Sequence, residues 1–349
     1  MNVKYRAGVV GVRGIGRRHA REILASDRFE LVGLADRDPG VLAEVSAELD
    51  PSGPGVPTFV SWPDLLRETR PDVAVVSTPN LSHFALAIQA VEFGVRAVFC
   101  EKPMTVDWGD ARKLYEACRS SGTELIVNHQ RRTLPEMRTM ARLIAGGAIG
   151  EVQVLRACHA GDVISDGTHA VDSLRFLAGD PGFDWVVAGM ARSRSAPPPE
   201  AERTGFEKIS GWRFGHPVED AMISTWQFSN GIRGEMTSGE IFPKGRWYQD
   251  YEAVGSRGSL WRPSDGQEPK LRRLAADGRW EEVPLDPPGP TPLDMLADTL
   301  ERGVPHPMGG SVGLEDMRLV TAIYAAAVRR AKIGPDDLPD EFPLKDGPE

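Results

Sequence analysis

The stretch from Gly161 to Asp172 gathers His169, the carboxylates of Asp162, Asp166 and Asp172, and the hydroxyls of Ser165 and Thr168 at the head of an amphipathic pattern. An imidazole titrates near pH 6.5, so it takes up and returns a proton at neutral pH, and His169 is the candidate general acid/base. Asp166 has two readings of equal weight. It binds a reacting hydroxyl, or else it or Ser165 caps the helix that follows. Asp172, three residues beyond His169, shares its helix face and is placed to orient the imidazole or to bind a further hydroxyl. His159 and Asp162 close the preceding apolar run and could line the same pocket. With His169 they form only a loosely spaced ligand set, so no metal is expected.

A second constellation lies at the beginning of the chain. The apolar run Ala7–Val12 leads through Gly11-Val12-Arg13-Gly14-Ile15-Gly16 into an amphipathic segment, Arg17–Ala25, and Phe29–Ala35 then reads as a strand ending in Asp36-Arg37-Asp38. Free amides at a helix start hold a pyrophosphate, and a carboxylate about 20 residues past the last glycine accepts hydrogen bonds from ribose hydroxyls. Gly11, Arg13, Gly14, Ile15, Gly16, Asp36 and Arg37 are therefore the expected dinucleotide site. Asp36 repels a 2′-phosphate and favours NAD, while Arg37 leaves NADP open. Arg13 stands where the fingerprint has its middle glycine. Its side chain either crowds the cofactor or turns its guanidinium onto a phosphate, with Gly14 restoring backbone freedom.

These residues need a scaffold, and the first half supplies an α/β alternation. Helices are expected over 41–49 and 63–68, a helix ending at Phe93, and strands over 58–60, 73–77 and 95–100. In an open parallel sheet the loops at the carboxyl ends of strands line the ligand crevice. Thr78, Pro79, Asn80, His83, Glu101 and Lys102 thus join the cofactor-side set. Lys102 is placed to bind a substrate oxygen or assist proton transfer, or else pairs with a neighbouring carboxylate. His83 alone reads more readily as a helix-start or surface residue than as a catalytic one.

At 349 residues the chain is long enough for two domains. The expected division is 1–128, a nucleotide-binding domain, and 129–349, a substrate-binding and oligomerisation α+β domain whose C-terminal tail packs back on the first domain. The net charge of −9, with no block of like charges, argues against nucleic acid or an anionic membrane as partner and for a small molecule. Cys100, Cys118 and Cys158 show no CxxC spacing and suit a reducing compartment. With no span of apolar residues long enough for a bilayer, a cytoplasmic protein is expected. In the second half, Val152–Ala160, 221–228 and 232–238 (a hairpin about Asn230-Gly231), 251–254 and 259–261 read as strands, and 291–301 and 312–331 as helices. Arg192–Gly215 reads as a lid or contact loop. The Phe242–Tyr248 stretch mixes aromatics and cations suited to a sugar or to a subunit contact.

Taken in order, Gly11 to His19, Thr78-Pro79-Asn80 through His83, Glu101-Lys102-Pro103, Arg131-Arg132-Thr133-Leu134-Pro135 and Val218-Glu219-Asp220-Ala221 resemble the Gfo/Idh/MocA family of oxidoreductases over nearly the whole length. The resemblance implies a Rossmann domain followed by a large, mostly antiparallel open-faced sheet, and NAD or NADP as cofactor. It implies oxidation of a secondary alcohol of a sugar, cyclitol or related polyol, or the reverse reduction, with His169 as acid/base. By similarity the peptide before Pro103 is cis, Lys102, Arg131, Ser165, Asp166, His169 and Asp172 meet the substrate, and the open sheet face makes a dimer or tetramer. The family's aspartate four residues before the histidine is Ser165 here. Two alternatives stay open: a redox-neutral elimination, epimerisation or glycoside cleavage with retained NAD, and a non-catalytic ligand-binding protein with a degenerate nucleotide turn.

Overall fold

The computed structural model describes residues 4–192, 211–239, 249–275 and 277–345. They divide into two compact units. The first takes the residues up to Thr105, with Asp110–Asn128 and Pro290–Leu314; the second takes Val106–Gly109, His129–Gly289 and the chain from Glu315 onward.

In the first unit six strands, β1 (Tyr5–Val10), β2 (Phe29–Ala35), β3 (Thr58–Phe59), β4 (Val73–Val76), β5 (Ala97–Cys100) and β6 (Glu124–Val127), form a sheet of order β3-β2-β1-β4-β5-β6. Every pairing is parallel. The runs Val-Ala-Val-Val and Ala-Val-Phe-Cys of β4 and β5 are buried throughout, as expected of strands covered on both faces. Helices α1 (Gly14–Ala25), α2 (Pro39–Leu49), α3 (Trp62–Thr69), α4 (His83–Glu92) and α5 (Trp108–Ser121) make the connections. α1 buries Gly16, His19, Ala20 and Ile23, one stripe of a 3.6-residue period. Strand order reverses between β1 and β4, so the glycine turn after β1 and the Thr78-Pro79-Asn80 loop after β4 both border the switch point where such sheets bind ligands. The helix Pro292–Arg302, set by a Thr291–Asp294 capping box, adds Leu293, Leu296 and Ala297 to the same core.

In the second unit α6 (Pro135–Ala145) precedes β7 (Val152–His159), α7 (Thr168–Ala178) and β8 (Phe183–Ala191). A short ribbon, β9 (Trp212–Arg213) with β10 (His216–Pro217), comes next. The sheet is completed by β11 (Ala221–Phe228), β12 (Arg233–Gly239), β13 (Asp250–Gly255), β14 (Gly258–Arg262), β15 (Arg272–Leu274) and β16 (Trp280–Glu282). These eight strands run in the order β16-β15-β14-β13-β7-β12-β11-β8, antiparallel except for the β7–β12 pair. Arg156 on β7 bridges to Glu235 and Glu252, and Ile223 is 66% exposed. Ile333 pairs with Val186 of β8, and Phe342 and Leu344 are buried, so the tail docks within this unit. Most of the expected Arg192–Gly215 excursion and all of Phe242–Tyr248 lie outside the described residues. Among the described residues no helix is long and apolar enough to cross a membrane.

Candidate active site

In the first unit the turn after β1 is shaped by two glycines. Gly11 has φ of +81°, and a Cβ there would lie 2.7 Å from the Ser77 carbonyl oxygen. A Cβ on Gly16 would lie 1.8 Å from the Gly11 carbonyl oxygen, so helix and strand approach as closely as backbone allows. α1 has no side-chain cap and no acid in its first turn, which leaves its leading amides to an anion, with Gly14 and half-buried Ile15 among them. Asp36 accepts from Val12 N (3.1 Å) through Oδ2 and from Asp38 N (3.1 Å) through Oδ1. Each oxygen keeps a lone pair for a hydroxyl, so the turn and the acid fit a dinucleotide's pyrophosphate and ribose. The Arg13 guanidinium pairs with Asp38, and Arg37 is exposed.

On the other side of the switch point Ser77 donates to the carbonyls of Val10 and Gly11, and Ser82 to Thr78 Oγ1 and the Pro79 carbonyl. Asn80 is buried in the short turn before α4. His83 is buried, with one ring nitrogen 2.7 Å from the Pro103 carbonyl and the other 2.7 Å from that of Thr78; burial pushes its pKa down. The histidine thereby ties the two loops together. The Lys102–Pro103 peptide is cis, and Lys102 is half-buried.

Glu101 faces inward. Its Oε1 lies 2.7 Å from His19 Nε2 and accepts from Asn128 at 2.7 Å. Burial alone would lower His19, but the hydrogen bonds to Glu101 and Glu22 outweigh it and raise the pKa from 6.5 to about 9. Burial would raise Glu101, yet His19, Asn128 and Lys102 bring it from 4.5 down to about 2. The stability follows by linkage. His19 contributes fully below its unfolded value of 6.5 and loses that contribution as pH rises towards 9. Glu101 contributes above 4.5 and loses it as pH falls towards 2. Urea unfolding is therefore expected to show highest stability between these limbs, and His19→Gln to flatten the alkaline one. A wild-type alkaline limb kept in full by the variant would refute the pairing.

In the second unit Val163–Gly167 forms a single π-type turn, with Gly167 N bonded to the Asp162 carbonyl, before α7 begins at Thr168. The cap comes from Asp162, whose Oδ1 accepts from Ser165 N at 2.7 Å; neither Ser165 nor Asp166 fills that role. Asp166 is ion-paired to Arg213 of β9, which also holds Asp162 at 3.0 Å. Burial pushes Asp162 up, but Arg213 and His216 hold it below the usual carboxylate range. Glu219 secures the turn from behind, accepting from Val163 N and from Tyr324 Oη at 2.7 Å each. Burial, then the charge of Asp162, pushes Glu219 up to about 7. Burial lowers His159, whose ring is fully enclosed beneath the turn.

His169 is buried in the first turn of α7, its ring edge-on to that of His129 with centroids 5.6 Å apart. Asp172 turns its carboxylate to Arg132, whose Nε lies 2.6 Å away and which also grips Asp180. Asp316, on the helix Gly310–Arg329, pairs with Arg175 at 2.6 Å. Burial pushes Asp172 well above the carboxylate range against the pull of Arg132, and Asp316 adds to the rise; Asp316 is held low by Arg175, His129 and Arg132 despite its own burial. Arg131 is committed to Asp265 through a two-pronged ion pair.

The structure gives Asp166 to Arg213, Asp172 to Arg132 and His169 to the edge of His129, and supplies partners that the Gly161–Asp172 stretch by itself does not name: His129, Arg132, Arg175, Arg213, Glu219 and Asp316. Arg132 and Glu219 stand in stretches that carry the family resemblance, and Arg175 lies on α7 three residues beyond Asp172. His129, Arg213 and Asp316 lie on other elements, where nothing in their own surroundings marks them.

Residues 5–129 match a family model described as an oxidoreductase family with an NAD-binding Rossmann fold (GFO_IDH_MocA). The chain is 25% identical over 290 residues to the rhizopine catabolism protein MocA of Rhizobium meliloti, covering 78% of this chain and 84% of that one. It is 26% identical over 348 residues to inositol 2-dehydrogenase 3 of Saccharopolyspora erythraea, covering 94% of each. The fold is shared with the aldose-aldose oxidoreductase of Caulobacter crescentus, with a TM-score of 0.76 at 20% identity over 95% of this chain and all of that one.

Proposed function

We propose that the chain is a member of the Gfo/Idh/MocA family of NAD-binding oxidoreductases and that it oxidises a secondary alcohol of a sugar, cyclitol or related polyol, or runs the reverse reduction. The observation that supports the reading best is the setting of His169. Asp162 and Asp166 are bound to Arg213, and Asp172 to Arg132, so the nearby carboxylates are engaged by arginines while the imidazole stands at the head of α7. Bound NAD supplies the acceptor for the hydride of the carbinol carbon. His169 takes the hydroxyl proton onto its ring and gives it back in the reduction. Ser165, in place of an acid, orients the hydroxyl by hydrogen bonding, and Lys102 holds a substrate oxygen. Asp166 and Arg131 serve instead through Arg213 and Asp265, shaping the turn and its surroundings.

The cofactor would be held by Gly11, Gly14, Ile15 and Gly16 at the pyrophosphate and by Asp36 at the ribose, with Thr78, Pro79 and Asn80 bordering it. A carboxylate at that place favours NAD over a 2′-phosphorylated cofactor. Asp36→Ala is expected to lower kcat/KM for NAD by about tenfold or more and to narrow the preference over NADP. An unchanged ratio, measured with both cofactors, would count against Asp36 as the selector.

The activity itself is tested by following NADH formation over a panel of polyols and aldoses, with mass spectrometry of the nucleotide carried by the native protein. Turnover that depends on added NAD supports the dehydrogenase. Turnover with co-purified nucleotide and no net NADH points to the redox-neutral reaction, and no thermal shift with any of NAD, NADH, NADP or NADPH points to a binding protein.

A further inference from the structure

Behind His169 lies a buried charge cluster that the proposed reaction leaves unexplained. Asp172 and Asp316 are 0% and 1% exposed, and each gives one oxygen to a guanidinium at 2.6 Å, Oδ1 of Asp172 to Arg132 and Oδ1 of Asp316 to Arg175. The second oxygens, Asp172 Oδ2 and Asp316 Oδ2, are buried with no hydrogen-bond donor among the described residues. An ionised carboxylate oxygen in that position is costly, and two near each other more so. His129 Nδ1 lies 3.5 Å from Asp316 Oδ2 and 3.7 Å from Asp172 Oδ1, and its ring meets that of His169 edge-on.

Three donor atoms, one each from His129, Asp172 and Asp316, lie within 4.8 Å of one another, a spacing a cation could use. Charge decides against a cation. Arg132 and Arg175 bring two positive charges against three carboxylates, those of Asp172, Asp316 and the rim residue Asp180. One proton closes that balance. A divalent ion overshoots it and sits beside two guanidinium groups already bonded to its would-be ligands.

We propose that Asp172 and Asp316 hold one proton between them and that this pair, through His129, sets the charge state at which His169 exchanges its proton. His129, Asp172 and Asp316 are then positioning residues for the transfer, and the inference rests on the reading of His169 as acid/base. The groups facing the pair are Arg132 and His129 from the segment before α6, Arg175 from α7, and Asp180 just beyond α7. His169 shares α7 with Asp172, yet Asp172 faces Arg132 and Asp316, so His129 is the side chain that touches both ends of the arrangement.

The shared proton is read without activity, by infrared spectroscopy of the native protein in light and heavy water at about pH 8. That lies above the ranges of Glu219 (about 7) and Asp250 (about 6), which would otherwise contribute. A protonated-carboxyl carbonyl band that shifts on deuteration is expected. It should vanish in both Asp316→Asn and Asp172→Asn, because the remaining carboxylate keeps its arginine and ionises. Coupling is read from kcat/KM for alcohol oxidation against pH. The pair with its one proton carries a single negative charge, as does either single variant once the remaining carboxylate ionises. The double variant Asp172→Asn/Asp316→Asn removes that charge, which makes protonation of the imidazole harder and moves the acidic limb to lower pH by about half a unit or more. In a His129→Gln background the same change moves it less.

No exchangeable band in the native protein overturns the shared proton, as does a stoichiometric metal ion that is lost in Asp316→Asn. An acidic limb unmoved by Asp172→Asn/Asp316→Asn, in an enzyme that His169→Ala inactivates, overturns the coupling alone. An active His169→Ala enzyme overturns the acid/base reading, and the carbonyl band then still decides whether the pair holds its proton.

Discussion

His169→Ala lowers kcat for alcohol oxidation by about 10²–10⁴-fold, the usual contribution of a positioned general base. The hydroxyl proton has to leave as the carbinol carbon gives up its hydride, and with the imidazole gone the remaining acceptors are poor ones. Asp162 and Asp166 are bound to Arg213, and Asp172 to Arg132. The residual rate of the variant is expected to climb with pH, as solvent hydroxide takes over, and to lose the acidic limb of the wild-type profile. His159→Gln serves as the control. That ring is as deeply buried in the same unit but sits beneath the π-type turn, so its loss changes stability without removing the limb. Steady-state rates, paired with thermal unfolding to show that both variants fold, check the expectation. Full turnover by His169→Ala would remove the histidine from the mechanism.

The second large effect is expected at Gly16. An alanine Cβ would lie 1.8 Å from the Gly11 carbonyl oxygen and 2.6 Å from Ser77 Oγ. The first of these is backbone and cannot swing aside, so α1 has to move away from β1. Overpacking of this kind costs about 1–3 kcal/mol, visible as a lower urea midpoint. The displaced helix start no longer presents its amides together, and NAD affinity measured by calorimetry should fall by about a hundredfold, the scale of two lost charge-assisted hydrogen bonds. Arg13→Ala makes the instructive contrast. Arg13 is exposed and pairs with Asp38, so its removal leaves stability nearly unchanged, as exposed ion pairs contribute little. If Gly16→Ala bound NAD as well as wild type, the turn would not be the cradle.

The nucleotide half was legible because its signals are local. The run into Gly11, the close approach at Gly16 and the acid ending β2 all follow from what a few consecutive residues do with their amides and carbonyls. The Asn230-Gly231 hairpin and the Thr291 helix start were readable for the same reason, and both appear where turn and cap chemistry put them. The reading ran out where partners come from afar. At Arg13 the side chain meets Asp38 beyond the next strand, a partner that neither the crowding reading nor the phosphate reading names.

The stretch around His169 divides along the same line. Its sequence alone determined that a titratable ring stands with acids and hydroxyls at the head of a helix, since residue type and helical spacing suffice for that. Only the tertiary structure decided what each acid does: Asp162 caps the turn, Asp166 answers Arg213, and Asp172 is drawn to Arg132 and to Asp316. The physical reason is that a cap is a bond between near neighbours in the chain, whereas a buried carboxylate is governed by whichever charges the fold packs against it.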